Sequence, residues 1–228
     1  MPAGNGPASG AESGSVDAIL TLADWRRTIA TLYADVRRLA AGDPATALEL
    51  WRSTRERLYR EHPQSPVPTG ARADFRAAYF DHDPGLRFEV IVESPPVAVP
   101  AMALGGRSID LPVSAGGTMA FRRFGVVTVP FPEGPRPLEI YWMEGYAGGL
   151  FLPFRDATNG RETYGAGRYL LDAAKSADLG AGAIPGSLIL DFNFAFQPSC
   201  AFDPKWACPL APPANRLDIA IRAGERLA

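Results

Sequence analysis

Charged and hydrogen-bonding side chains cluster around Asn159-Gly160, in the segment FLPFRDATNGRETYGAGRYL. Asn-Gly predicts a two-residue β-hairpin loop, because both residues tolerate the positive φ of a type I′ turn. Guanidinium groups hold carboxylates or phosphates, and carboxylates act as general acids or bases. The hairpin would present two polar faces, one with Asp156, Thr158, Arg161 and Thr163 and the other with Arg155, Glu162 and Tyr164. The hairpin alone favours a solvated tip held by surface ion pairs.

A second polar set alternates with aromatic residues between Leu188 and Phe196. Read as a strand, this segment buries three phenylalanines on one face and presents Asp191 and Asn193 on the other. In a sandwich the polar face meets water, whereas in a barrel it lines an interior cavity. The alternation by itself favours the solvent-facing arrangement.

The segment from Pro198 to Glu225 is rich in proline and too apolar for a flexible tail. We expect it to pack over the sheet as a rigid excursion without helix, because proline removes backbone donors. Leu217, Ile219 and Ile221 then predict a final strand by their period of two.

Metal-ligand residue types are few in this chain. Cys200 and Cys208 have the spacing C-x7-C, unlike the short pairs of structural zinc sites. His62 and His82 are the two histidines. The four could together serve a metal-dependent enzyme, but no spacing requires it, and two buried free thiols are the better prediction. We therefore predict no metal and no cofactor.

Two helices must precede these segments. Apolar residues recur at helical spacing near Leu22 to Ala41, on the stripe formed by Trp25, Ile29, Leu32, Val36 and Leu39. Asp43-Pro44 starts a second helix that runs to about Arg60, since Asp caps a helix and Pro fits its first turn. The short connection predicts an αα-hairpin.

Beyond a proline-containing linker the pattern changes to short strands separated by Gly and Pro turns, at residues 87–93, 97–101, 107–111, 119–130 and 138–143. The predicted fold class is mainly β, an antiparallel β-sandwich or barrel-like sheet preceded by the N-terminal αα-hairpin. The predicted organisation is a disordered leader over residues 1–20, the helical hairpin over 21–61 and one β-rich domain over 62–228.

Composition excludes several classes of partner. The chain has 228 residues and a formal net charge of -2, which argues against a nucleic-acid binder. No apolar run approaches the ~20 residues that cross a bilayer, and the N-terminus lacks the basic start of a secretory signal. These features predict a soluble cytoplasmic protein with no membrane or nucleic-acid partner, and they leave the oligomeric state open.

The last third of the chain resembles a bacterial family known as domain of unknown function 1684. The family pattern D-x-T-x-G-x-E-T-Y-x-x-G-R-[FY]-L is matched from Asp156 to Leu170, and later pattern positions are matched by Asp191, Phe192, Asn193, Cys200, Cys208, Pro209, Asn215, Leu217, Ala223, Gly224 and Glu225. Gln197 and Ala214 depart from it, since Asn and Glu are usual there. The resemblance implies a shared fold but no established activity, substrate or cofactor.

The motif segments suggest that the hairpin, the Asp191 strand and the proline-rich excursion converge on one polar pocket. Ligand-binding candidates are Arg155, Arg161, Tyr164, Arg168, Asn193 and Asn215, and candidate catalytic carboxylates are Asp156, Glu162 and Asp191. The alternative is a buried structural network in which Arg168 pairs with Asp191 and Asn215 satisfies loop carbonyls.

The leading hypothesis is a domain that binds an unknown small molecule or partner. A hydrolase with Asp or Glu as general acid or base, and a metal-dependent enzyme using His62 and the cysteines, are the alternatives, so whether the protein is an enzyme stays open.

Overall fold

The computed structural model describes residues 10–94, 107–146 and 148–228, so the strand predicted at 97–101 lies outside the described residues. Two long helices come first in these ranges, α1 (Gly10–Ala40) and α2 (Pro44–Glu61), which confirms the helical hairpin. α1 begins at Gly10 and not near Leu22, so it includes residues that were predicted to belong to the disordered leader.

Local sequence accounts for the helix hairpin. The Asp43 carboxylate accepts a 3.0 Å hydrogen bond from Thr46 N and caps α2, with Pro44 in the first turn. Ile29, Leu32 and Val36 of the predicted apolar stripe are buried, and Trp25 and Leu39 are partly buried. Trp51 of α2 packs in the same core, where its Nε1 donates to Tyr33 Oη over 3.1 Å. In the described ranges, no helix combines the length and the apolar character that crossing a bilayer requires.

The described residues then form nine strands: β1 (Ala78–Tyr79), β2 (Arg87–Ile91), β3 (Arg107–Pro112), β4 (Thr118–Phe131), β5 (Gly134–Met143), β6 (Gly149–Phe154), β7 (Arg168–Asp172), β8 (Ser187–Asp191) and β9 (Glu225–Arg226). Strands β3 to β7 form a five-stranded antiparallel meander, while β2 pairs with β8 and β1 with β9. The fold is mainly β, as predicted. Among the described residues the sheets do not close into a barrel, so the sandwich-like alternative applies and the barrel-like one is wrong.

Strand alternation divides the core into two clusters. Tyr141, Phe151 and Tyr169 project toward the helices, whereas the neighbouring Ile140 and Leu152 belong to the cluster that contains β2 and β8. The central sheet is therefore covered on both faces, which is why nearly every side chain of β6 and β7 is buried.

Two predictions for the last third are wrong. β8 ends at Asp191, because the Asp191 carboxylate accepts a hydrogen bond from Asn193 N and turns the chain into a 3-10 helix over Phe192–Phe194. Both faces of this segment are buried, so Asp191 and Asn193 do not meet water. The final strand is also absent from 217–221: its alternating burial is confirmed, but this segment lies beside residues 155–157, with Leu217 N donating to Arg155 O over 2.7 Å.

The proline-rich excursion does pack over the sheet, as predicted. Leu210 N donates to Pro112 O over 2.9 Å, and Ser114 N donates to Cys208 O over 2.9 Å. These bonds fasten the excursion to the end of β3 and place both cysteines in the core on the helix side.

Candidate functional site

The loop around Asn159-Gly160 is a compact turn and not the predicted two-residue hairpin. The Thr158 carbonyl accepts hydrogen bonds from the backbone N–H groups of Arg161, Glu162 and Thr163, over 3.2, 2.9 and 3.2 Å. The Asp156 carboxylate accepts from Thr158 N over 2.7 Å and from its hydroxyl over 2.5 Å. Because these backbone N–H groups bond to the Thr158 carbonyl and to the Asp156 carboxylate, they do not form the hydrogen-bond ladder of two paired strands. As a result Asp156, Thr158 and Thr163 are buried while Arg161 is exposed.

Arg168 is the centre of a polar cluster next to this loop, and its side chain is completely buried. Its Nη2 donates to Asp156 Oδ2 over 2.8 Å and to Ile221 O over 2.7 Å. Its Nη1 donates to the carbonyls of Ala223 and Glu225. Arg168 therefore pairs with Asp156, and the predicted pairing with Asp191 is wrong. The guanidinium clamps the C-terminal segment against the loop.

Asp191 and Asn193 form a separate group at the end of β8. Arg87 Nη1 donates to Asp191 Oδ2 over 3.2 Å. Asn193 holds the backbone of Asp83 on both sides, accepting from its N–H over 2.9 Å and donating to its carbonyl over 2.7 Å. This arrangement secures the chain that leads into β2.

Asn215 binds backbone groups of two strands and is completely buried. Its Oδ1 accepts from Glu139 N over 2.8 Å, and its Nδ2 donates to the carbonyls of Glu139 and Pro153 over 2.9 and 2.8 Å. Asn215 was predicted to satisfy loop carbonyls, but the carbonyls that it binds belong to strands β5 and β6.

The remaining candidates are bonded near the surface. Arg222 donates two 2.9 Å hydrogen bonds to the Glu162 carboxylate, which lowers the pKa of Glu162. Arg155 donates to Gly165 O over 2.7 Å and Arg161 to Ala157 O over 3.1 Å. The predicted site residues thus lie in separate bonding groups, and the structure does not bring them together in one polar pocket. The physical reason is that buried loops have no sheet partner for their backbone N–H and C=O groups, so polar side chains supply those hydrogen bonds.

The four candidate metal ligands are not assembled either. His62 Nε2 lies 3.2 Å from Asp24 Oδ2 and its ring contacts Trp25 edge-on. The two cysteines lie next to each other elsewhere, beside Ser114 and Tyr164. Across the part of the chain that the structure describes, no three His, Cys, Asp or Glu side chains are grouped to hold a metal ion.

A partly enclosed cavity of about 180 Å³ opens between the helix-side face of the sheet and the excursion; we call it the sheet-end hollow. Its apolar walls include Met119, Met143, Phe151, Tyr169, Trp206 and Pro209. Its polar lining comprises Asp172, Lys175, Ser199 and Cys208. Tyr169, Cys208 and Pro209 match positions of the family pattern, whereas Met119 and Met143 come from β4 and β5.

A buried carboxylate and an ammonium lie side by side in the sheet-end hollow. Burial raises the pKa of Asp172, although Lys175 opposes the shift. Lys175 Nζ lies 3.7 Å from Asp172 Oδ2, and 5.6 and 5.2 Å from the ring centroids of Tyr169 and Phe196. An ion pair of that length exceeds hydrogen-bonding distance, so the ammonium retains the capacity to donate to a third group.

A second cavity, of about 170 Å³, lies at the C-terminus between Phe75, Phe202 and Leu227. Gln197, one of the two residues that depart from the family pattern, lines it and donates from Nε2 to Arg226 O over 3.1 Å. Its buried Oε1 has no hydrogen-bond partner among the described residues. Neither cavity is lined by Glu162, Arg168, Asp191 or Asn215.

A family model described as "Protein of unknown function (DUF1684)" matches residues 75–226, about two thirds of the chain. The chain belongs to this family. Membership in DUF1684 confirms the resemblance found in the sequence, and the matched range contains the Arg168 cluster and the lining of the sheet-end hollow.

One solved relative shares the fold of this DUF1684 protein. It is the NMR structure of the uncharacterized protein from gene locus rrnAC0354 of Haloarcula marismortui, which is 33% identical with a TM-score of 0.58. The match covers 82% of this chain and 96% of that one. No curated protein matches this chain. Neither the family nor this solved relative carries a description that indicates a specific function.

Proposed function

We propose that this DUF1684 protein binds a small carboxylate ligand in the sheet-end hollow. The observation that supports the proposal most directly is the Lys175 ammonium, which faces apolar walls beside a carboxylate at 3.7 Å. Ligand sites are typically apolar hollows with a few placed polar groups, and the sheet-end hollow has that composition.

The volume limits the size of the ligand. An apolar cavity of about 150 Å³ is large enough for benzene. A hollow of about 180 Å³ therefore suits an apolar body of one ring or a short branched chain. Phe151 and Tyr169 provide aromatic surfaces on which such a body can pack.

The charges determine the head group. Lys175 is one of two lysines in the chain, and its ammonium is attracted to an anion. Asp172, whose pKa is raised by burial, is more easily protonated than an ordinary aspartate. Once protonated it can donate a hydrogen bond to a ligand carboxylate instead of repelling it. A carboxylate is therefore the head group that both side chains can accept.

A second candidate function is acid–base catalysis at the same position. A carboxylate with raised pKa in a cleft is typical of a general acid or base, and Asp172 has that placement. This alternative keeps the hydrolase hypothesis but moves its carboxylate from the motif residues to Asp172.

We also propose a cytoplasmic location, which is supported by the two free cysteines.

Benzoate and benzamide are the probes that test the binding proposal, since they share a ring and differ in charge. We expect benzoate to raise the apparent Tm in a thermal-shift titration, because a ligand that binds the native state stabilises it. Benzamide should give a clearly smaller shift. Lys175→Met should remove most of the benzoate effect.

The matched control is Lys205→Met, which removes the other lysine; Lys205 is mostly exposed and does not line the hollow. It should leave the benzoate shift unchanged. Equal shifts for benzoate and benzamide, or equal losses in the two variants, would contradict the proposal. For the catalytic alternative, turnover of phenyl acetate that disappears in Asp172→Asn supports an enzyme, and its absence in the wild type argues against a hydrolase of such esters.

A further inference from the structure

Cys200 and Cys208 are in direct contact. Cys200 N donates to Cys208 Sγ over 3.3 Å. Both thiols are free and each residue is 6% exposed. The 3-10 helix Ser199–Ala201 and the excursion bring them together.

Polar donors surround this pair. Ser114 accepts from Cys208 N over 3.0 Å with its hydroxyl oxygen, and its backbone N–H holds the Cys208 carbonyl. The side chains of Tyr164 and Ser114 also lie beside the Cys200 thiol. Purely structural buried thiols need no such partners, since cysteine packs as a small apolar residue.

Access to the pair is through the sheet-end hollow. Cys208 lines the hollow together with Ser199, the residue that precedes Cys200, and Cys200 itself is 6% exposed. A small oxidant enters a space of about 180 Å³ without displacing the protein. The hollow therefore links a dithiol to solvent.

We propose that Cys200 and Cys208 form a peroxide-reactive dithiol that closes reversibly to a disulfide. This activity is separate from ligand binding, because it requires the two sulfur atoms and not Lys175. It also agrees with the reduced state of the thiols in a cytoplasmic protein, where disulfides are transient.

The reaction has two balanced steps. The Cys200 thiolate attacks one oxygen of hydrogen peroxide, so that an S–O bond forms, the O–O bond breaks and hydroxide leaves. Cys208 gives its proton to that hydroxide, and its sulfur then attacks the sulfenic sulfur. The S–S bond forms, the S–O bond breaks and the second hydroxide takes up the proton that Cys200 released earlier. Two thiols lose two electrons, and peroxide is reduced to two waters.

Cys200 is assigned as the attacking residue by its surroundings. The Cys208 thiol lowers the pKa of Cys200 by a hydrogen bond, burial opposes this, and Ser114 and Tyr164 add to the lowering. The same bond and burial raise the pKa of Cys208, so the pair loses its first proton from Cys200. The thiolate is the nucleophile in such chemistry.

The test begins with reduced wild-type protein treated with hydrogen peroxide at neutral pH. Titratable thiols should fall from two to none per chain, and the intact mass should decrease by two hydrogen atoms. Dithiothreitol should restore both thiols. Retention of the thiols, or oxygen addition without a cross-link between Cys200 and Cys208, would overturn the proposal.

Two serine variants separate the roles. In Cys208→Ser the reaction should stop at a sulfenic acid on Cys200, which dimedone captures. In Cys200→Ser the remaining thiol, Cys208, should react with peroxide at least about tenfold more slowly, because the stabilised thiolate is absent. Equal rates in the two variants would contradict the assignment of Cys200. Circular dichroism checks that each variant is folded. Lys205→Met should oxidise like the wild type, because Lys205 is exposed and does not line the hollow.

Discussion

The guanidinium of Arg55, in α2, donates a 2.8 Å hydrogen bond from Nε to the carboxylate of Glu225, in β9, and both side chains are almost fully buried. The rings of Trp51, Tyr59 and Phe196 pack against the guanidinium, with their centroids 4.8–4.9 Å from Arg55 Cζ. Glu225 also accepts from Gln197 N over 2.7 Å through its second oxygen. This ion pair joins the helical hairpin to the C-terminus of the β-rich part.

Breaking that ion pair from one side should be costly. Glu225→Gln leaves the Arg55 charge buried without its counterion, and we expect a loss of about 3–5 kcal/mol in the free energy of unfolding. The double variant Arg55→Met, Glu225→Gln should lose clearly less than the sum of the single variants, because no unpaired charge remains. Urea unfolding of the four proteins measures the coupling. Additive losses would show that the pair does not act as a unit.

Arg168→Met should destabilise the protein by about 3–5 kcal/mol, since Asp156 and three backbone carbonyls lose their donor in a dry environment. The control is Arg222→Met, which removes an exposed partner of Glu162 and should change stability little. Chemical denaturation compares the two. A small effect of Arg168→Met would mean that the C-terminal segment is held by its apolar side chains alone.

Asn215→Leu should cost about 2–4 kcal/mol, because three backbone groups of Glu139 and Pro153 lose their partner while staying buried. Asn215→Asp keeps the oxygen that accepts from Glu139 N but puts a carboxylate against two carbonyls. We expect the Asp variant to become relatively more stable as pH falls and its carboxyl group regains a donor. A flat pH profile of the difference between the variants would contradict this account.

The pH dependence of stability at Asp172 should have the sign of a buried acid. Burial raises the pKa of Asp172 in the folded state above its ordinary value, so the ionised form is unfavourable at neutral pH. Its contribution to stability improves as pH falls through the raised pKa toward the unfolded value. The free energy of unfolding of Asp172→Asn should therefore equal or exceed that of the wild type at pH 7. As pH falls, the free energy of unfolding of the wild type should rise relative to that of the variant.

The exposed Asp218 provides a control of opposite sign. A hydrogen bond from Arg136 lowers the pKa of Asp218, so its stabilising effect is present at neutral pH and lost on acidification. Asp218→Asn should lose stability at neutral pH, with a gap that closes as pH falls. Denaturant titrations between neutral and mildly acidic pH compare both variants with the wild type. Parallel profiles for the two variants would refute the assignment for Asp172.

The rate of thiol oxidation should also depend on pH in a defined way. Ordinary thiols ionise near pH 8.5, so their reaction with peroxide keeps accelerating up to that range. The hydrogen bond from Cys208 lowers the pKa of Cys200, so its rate should level off at lower pH than the rate of a free cysteine-containing peptide. Stopped-flow measurement of peroxide consumption with both samples tests this. Identical profiles would show that the contact between the thiols does not affect ionisation.

The sequence by itself determined the elements whose periodicity reports burial. The apolar stripe of α1 and the Asp43-Pro44 start of α2 are local signals, and so are strands β3 to β5 of the meander; β6 and β7 were not predicted. The motifs of the last third pointed to a family resemblance that the family model over residues 75–226 confirms.

Only the tertiary structure decided what those polar residues do. Arg168 finds its three carbonyl acceptors 53–57 residues away near the C-terminus, and Arg55 finds Glu225 170 residues away. These partners are not visible in local spacing. The sheet-end hollow has the same origin, because four strands and the excursion each contribute part of its wall. Periodicity encodes which face of an element is buried, whereas hydrogen bonds of irregular segments depend on which distant backbone groups lack a partner after folding.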